Sequence, residues 1–108
     1  MYHGEYKTPG GKLVKVDLAV ADGRLRDIAV TGDFFLYPEE ALGAISSSLD
    51  GADAGATDAD LAARIAAAIP PGTEWLGSSP EGLTIAVRRA LDAGETDAGE
   101  ISEDAINV

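Results

Sequence analysis

Across Thr31-Gly32-Asp33-Phe34-Phe35-Leu36-Tyr37-Pro38-Glu39-Glu40 the apolar residues stop alternating and begin to recur every three or four positions. A two-residue period belongs to strands and a 3.6-residue period to helices, so strands precede this stretch and helices follow it. Strands followed by helices in one chain give an α+β fold. The stretch also holds both phenylalanines and one of the three tyrosines of a chain with 6% aromatic residues. It reads as a strand end running into a helix, with Gly32 relieving the backbone, Phe34 and Phe35 in the core and Pro38 at the first helical position. The alternative is that one of the two phenylalanines is partly exposed or covers a seam, because two adjacent ones cannot both point inward easily from an extended corner.

Upstream, Tyr2 to Thr8 alternate, with Tyr2 and Tyr6 on one side and His3, Glu5 and Lys7 on the other, as in a short edge strand. Pro9-Gly10-Gly11 turns the chain into a second strand whose Val14, Val16, Leu18 and Val20 share a face, with Lys15 and Asp17 opposite. Asp22-Gly23 between two alternating runs is a two-residue hairpin turn. The third strand runs from about Leu25 to Thr31; Leu25 falls out of phase with Ile28 and Val30, which predicts a bulge or an early entry near Arg26-Asp27. The expectation is a three-stranded antiparallel meander with about three helices packed on one face.

The first helix carries Leu42, Ile45 and Leu49 on one side and stops at Gly51. After a polar linker over 52–56, Thr57-Asp58-Ala59-Asp60 reads as a capped start, and Leu61, Ile65, Ala68 and Ile69 form a stripe that ends at Pro70-Pro71. Residues 72–77 are a loop or short extended piece with the one tryptophan, Trp75. A third helix opens at Ser78 or Ser79, Glu81 being placed to close a box on Ser78. Its stripe is Leu83, Ala86, Val87, Ala90 and Leu91, with Arg88 and Arg89 on the wet side. Beyond Asp92 the acids Glu95, Asp97, Glu100, Glu103 and Asp104 read as a solvated tail.

At 108 residues the chain is one domain, too small to hold both a core and a deep substrate cleft. With 19 acidic against 8 basic residues its formal net charge is −11, which excludes nucleic acid and anionic membrane and favours neutral or basic partners. Few lysines and many Asp, Ala and Gly residues suggest a salt-adapted, halophilic surface. Cysteine is absent, so disulfides and thiolate chemistry are excluded; no signal-peptide pattern opens the chain, and the reading is cytoplasmic. Gly10-Gly11-Lys12 fails the phosphate-loop spacing and has Leu13 where Ser or Thr would bind magnesium. His3 is the sole histidine, which leaves Ser46-Ser47-Ser48 without a base and offers no metal-ligand set. Asp33, Glu39 and Glu40 are explained as acids around a helix start. No catalytic residue and no metal site is expected.

Pro-Gly-Gly-Lys-Leu-Val (Pro9 to Val14) together with Ile-Ala-Val-Thr-Gly-Asp-Phe-Phe-Leu-Tyr-Pro-Glu (Ile28 to Glu39) resembles the small C-terminal, accessory domain of lipoate-protein ligases. Ser79-Pro80-Glu81, with Trp75 and Gly77 before it, resembles that domain's ending. The match covers roughly residues 3 to 92, so 1–92 is assigned as the accessory domain and 93–108 as an acidic C-terminal tail. The resemblance implies a fold similar to iron–sulfur scaffold proteins, without their cluster-holding cysteines. It also implies a non-catalytic subunit working with a separate large catalytic subunit, as in some archaea, in ATP-dependent lipoyl-AMP formation and protein lipoylation. No cofactor is then bound by this chain alone: ATP, Mg and lipoate belong to the large subunit, and lipoyl-domain acceptor proteins are met indirectly. Lys12, Gly32, Asp33, Phe34 and Phe35 are the implied partner- or substrate-facing residues. The alternative is a stand-alone protein-binding module of the same fold, unrelated to lipoylation.

Overall fold

The computed structural model describes residues 1–7 and 9–94. Strands β1 (Tyr2–Lys7), β2 (Leu13–Ala21) and β3 (Arg24–Gly32) form an antiparallel sheet in the order β1-β2-β3, the meander read from the alternation. Asp22 and Gly23 join β2 to β3 at φ of 56° and 74°, the left-handed values that a type I′ hairpin turn requires. Val14, Val16 and Leu18 are fully buried, while Lys15 and Asp17 lie on the open face. The expected bulge is present: between the pairs Asp17–Ala29 and Ala19–Arg26, Leu18 faces both Asp27 and Ile28, with Asp27 at φ 53°. One extra residue reverses the alternation, so Leu25 and Val30, five apart, both face the core.

Past Gly32 the chain departs from the expected direct passage into a helix. A short strand, β4 (Phe35–Tyr37), intervenes before α1 (Glu40–Leu49). There follow α2 (Asp58–Ala68), a second short strand β5 (Glu74–Leu76) and α3 (Pro80–Ala93). β4 and β5 pair antiparallel as a separate two-stranded sheet. Pro38 is therefore not the first helical residue but precedes the N-cap, Glu39. The reason is local: Asp33 donates its N–H to the Leu13 carbonyl (3.0 Å), closing β3, and the extended residues beyond it find their partner at 74–76.

The starts of α2 and α3 follow side-chain chemistry, whereas Glu39 at the start of α1 makes no capping bond through its side chain. Thr57 Oγ1 accepts the Asp60 N–H (3.1 Å) at the head of α2, as its sequence suggests. At α3 the capping residue is Ser79, whose Oγ accepts the Gly82 N–H (3.1 Å) with Pro80 at the first helical position. Ser78, the other candidate, makes no such bond; its Oγ is buried without a partner among the described residues.

The three helices cover one face of the sheet: α3 lies on β1 and β2, α1 on β3, and α2 bridges α1 and α3. Ile45 and Leu49, Leu61 and Ile65, Leu83 and Val87 meet the sheet's Val14, Val16, Leu18, Leu25 and Val30 in a single core. Ile28, which shares a face with Val30, and Leu42, on the stripe of Ile45 and Leu49, are half-buried at its margin. At Gly4 the contact is backbone to backbone, since a Cβ there would stand 2.2 Å from the Ala86 carbonyl oxygen and 2.4 Å from the Ala90 nitrogen. Arg88 and Arg89 lie on the wet side as expected, Arg89 exposed and Arg88 half-buried, and each also reaches a neighbouring element. Arg88 Nε donates to Asp58 Oδ1 (2.8 Å) and its NH2 to the Ala56 carbonyl; Arg89 donates to the Glu5 carbonyl (3.2 Å) and stands 5.0 Å over the Tyr6 ring. An arginine stem is long enough to lie on its helix and still deliver a guanidinium to a neighbouring element. Beyond Gly94 the expected acidic tail lies outside the described residues, as does Thr8.

Candidate functional site: an aromatic corner at one end of the sheet

The two-stranded sheet sorts its residues by alternation. Leu36 and Trp75, opposite one another, face inward; Leu36 is buried, and the Trp75 ring meets Phe34 at 5.9 Å between centroids and 55° between planes. The other face is open. Phe35 is 54% exposed, Tyr37 61% and Leu76 59%, and Phe35 pairs directly with Leu76. Single exposed apolar residues are ordinary, but three on one face of one small sheet form a patch of the kind that a partner covers.

Four of the five site residues read from the sequence are tied together here, and the fifth, Phe35, begins β4 beside them. The Lys12 N–H donates to the Gly77 carbonyl (2.9 Å), which brings the β1–β2 turn against the end of β5. Gly77, at φ 91°, passes under the Lys12 stem: a Cβ there would stand 2.8 Å from Lys12 Cγ and 3.4 Å from Phe34 Cα. Gly32, at φ 150°, leaves room for the Leu13 carbonyl, which a Cβ would approach to 2.2 Å. Asp33 is exposed and bonds through its backbone to Leu13, Phe34 is half-buried, and Phe35 points outward from β4. Behind Phe35 lies a shallow depression of about 320 Å³ lined by Val30, Gly32, Phe34, Leu36 and Leu42, with Glu39 at its side.

Tyr37 and Leu76 belong to the patch and were not singled out from the sequence. The sequence carries no alternation to mark them: Phe35-Leu36-Tyr37 is apolar throughout, Glu74-Trp75-Leu76 is polar only at its first residue, and three residues are too few to distinguish a strand from a loop. Trp75 Nε1 and Ser78 Oγ, on either side of Gly77, are buried without a hydrogen-bond partner among the described residues, so polar satisfaction is incomplete at this corner.

A second cluster lies on the open face of the main sheet. His3 Nδ1 is 2.7 Å from Asp17 Oδ1 and His3 Nε2 is 2.7 Å from Glu5 Oε2, so the imidazolium form donates to both carboxylates. The Glu5 bond is the main cause of a His3 pKa raised above its ordinary value; partial burial opposes it and Asp17 adds to it. With both ring nitrogens taken up by carboxylates, the cluster is an ion-pair network, and among the described residues no group of three or more His, Asp or Glu is arranged to hold a metal ion.

The fold is an α+β domain that carries an exposed patch of Phe35, Tyr37 and Leu76 at one end of its main sheet. Comparison with known proteins gives that class a particular setting. No family model matches the chain. Lipoate-protein ligase A subunit 2 of Thermoplasma acidophilum is 35% identical over 51 residues, 47% of this chain and 53% of that protein, so the aligned stretch spans about half the length of this curated relative. Among solved structures, a chain of the bipartite lipoate protein ligase and its E2 lipoyl domain from Thermoplasma acidophilum superposes with a TM-score of 0.67. That match is 27% identical and covers 82% of this chain and 94% of that one. The likeness drawn from the Gly-Gly-Lys turn and the Gly-Asp-Phe-Phe corner is thereby supported by both sequence and fold.

Proposed function

We propose that this chain is the non-catalytic accessory subunit of a two-part lipoate-protein ligase, docking on a separate large catalytic subunit and required with it for ATP-dependent formation of lipoyl-AMP and protein lipoylation. The observation that carries the reading is the structural match, which extends over 94% of a chain from a bipartite ligase. ATP, Mg and lipoate sit on the large subunit, and the lipoyl-domain acceptor is met through it. The assembly works in the cytoplasm, and no helix among the described residues is long and apolar enough to cross a membrane. The corner of Lys12, Gly32, Asp33, Phe34 and Phe35, extended by Tyr37 and Leu76, is the docking surface: exposed aromatics at a well-packed strand end are the usual anchors of interfaces.

The test is reconstitution. A large subunit from the same genome, supplied with ATP, Mg and lipoate, is expected to lipoylate a lipoyl domain only when this chain is added. Equal activity without it, or turnover by this chain alone, overturns the reading. Phe35→Ser, which alters a largely exposed side chain, is expected to weaken association about tenfold or more, as loss of an interface anchor does, with an unchanged circular dichroism spectrum. Unchanged affinity moves the docking surface elsewhere.

A further inference from the structure

The charges of this chain are segregated. Residues 1–32 hold five basic residues (Lys7, Lys12, Lys15, Arg24, Arg26) against four acidic ones, a formal +1; the remainder holds three arginines against fifteen acids, a formal −12, and together they make the −11. The basic residues also divide by use. Every arginine is engaged: Arg24 donates to the Gly51 carbonyl (3.0 Å), Arg26 stands 3.8 Å from Asp50, Arg64 donates to the Ser48 carbonyl, and Arg88 and Arg89 are anchored as described. No lysine side chain makes a hydrogen bond or an ion pair with any described residue.

All three lysines lie at one end of the sheet. Lys7 ends β1 opposite Leu13, Lys15 is two residues further along the same face of β2, and Lys12 sits in the turn between them, against Gly77. The acid best placed to neutralise Lys15 is Glu5, its cross-strand partner, but the Glu5 carboxylate is bonded to His3. Asp33, tied by its N–H to the Leu13 carbonyl, and Glu74, opposite Tyr37 on β5, make no ion pair with any of the three lysines. An otherwise acidic surface thus has one lysine-bearing face, and it borders the apolar patch of Phe35 and Leu76.

We propose that this lysine face meets a carboxylate-bearing protein surface, that of the large ligase subunit, and so fixes the orientation in which the aromatic corner docks. This rests on the function proposed above and adds the partner's chemistry: the contact surface opposite Lys7, Lys12 and Lys15 is acidic. The rest of the molecule repels such a surface, so a rotated encounter is rejected by like charge.

The experiment measures affinity for the large subunit at about 0.1 M and about 1 M KCl, where the screening length falls from roughly 10 Å to 3 Å. Four proteins are compared: wild type, K7Q/K12Q/K15Q, K7R/K12R/K15R, and A63E/A66E/A67E, which makes the same change of net charge on the exposed side of α2. The Gln variant is expected to bind about tenfold more weakly at low salt, a loss of a few modest ion pairs, with the difference shrinking toward 1 M KCl. The Arg and α2 variants are expected to bind as the wild type does. Equal affinity of the Gln variant, equal loss in the Arg variant, or equal loss in the α2 variant overturns the proposal. So does self-association of this chain alone that the Gln substitutions abolish, because the face would then belong to a second copy. If the wild type does not bind the large subunit, the proposed function fails with it; if it binds and supports lipoylation while the Gln variant binds equally well, only the lysine assignment fails.

Discussion

At Gly4 there is no room for a side chain, and the atoms in the way are the backbone of α3. Backbone cannot swing aside as a side-chain tip can, so Gly4→Ala is expected to destabilise the protein by about 1–3 kcal/mol in urea unfolding, in the range of other overpacked sites. Gly43 provides the control: it lies inside α1, and a Cβ added there would meet nothing within 4 Å. There Gly→Ala is expected to stabilise by about 0.5–1 kcal/mol, because alanine loses less backbone entropy in a helix. His3 makes a prediction of a different kind. Its pKa is raised in the folded state, chiefly by Glu5, so its contribution to stability is fully present below the unfolded value of about 6.5 and is lost as pH rises through the folded one. Wild type is expected to lose melting temperature relative to His3→Gln as pH rises through that window; parallel profiles would show that the network does not persist in solution.

Periodic elements were legible and aperiodic ones were not. The nine residues of β2 alternate long enough to declare a face, and the phase error at Leu25 was sufficient to place the bulge at Asp27. The stripe of α3 was visible for the same reason. β4 and β5 were missed because each is three residues long and gains its hydrogen bonds from the other across 36 intervening residues, a pairing that no local pattern encodes. The site inherited that gap: Phe35 was found through its unusual neighbour Phe34, whereas Tyr37 and Leu76 owe their exposure to the strand pairing. That Arg88 and Arg89 also hold neighbouring elements was not legible, because their partners, Ala56 and Glu5, are remote in sequence. Two substitutions test the elements themselves. Leu83→Ala, at a fully buried position of α3, is expected to cost about 2–5 kcal/mol. Thr57→Ala, which removes the bond to the Asp60 N–H, is expected to cost about 1 kcal/mol, also by denaturant titration.

For the molecule as a whole, the formal −12 carried by the part after residue 32, five of whose fifteen acids lie beyond Gly94, makes self-repulsion a property of that part of the sequence. Salt is therefore expected to raise the melting temperature between about 0.1 M and about 1 M KCl, and a flat or falling profile would count against a salt-adapted surface. The contact at Gly4 has a consequence for biosynthesis. β1 is held by α3, so residues 2–7 are covered by residues 80–93. At roughly 5–20 residues per second, the ribosome makes that helix roughly 4–15 s after the strand. During that interval Val14, Val16 and Leu18 face water on a growing chain, and the hairpin must wait, or be chaperoned, until the last helix emerges to cover it.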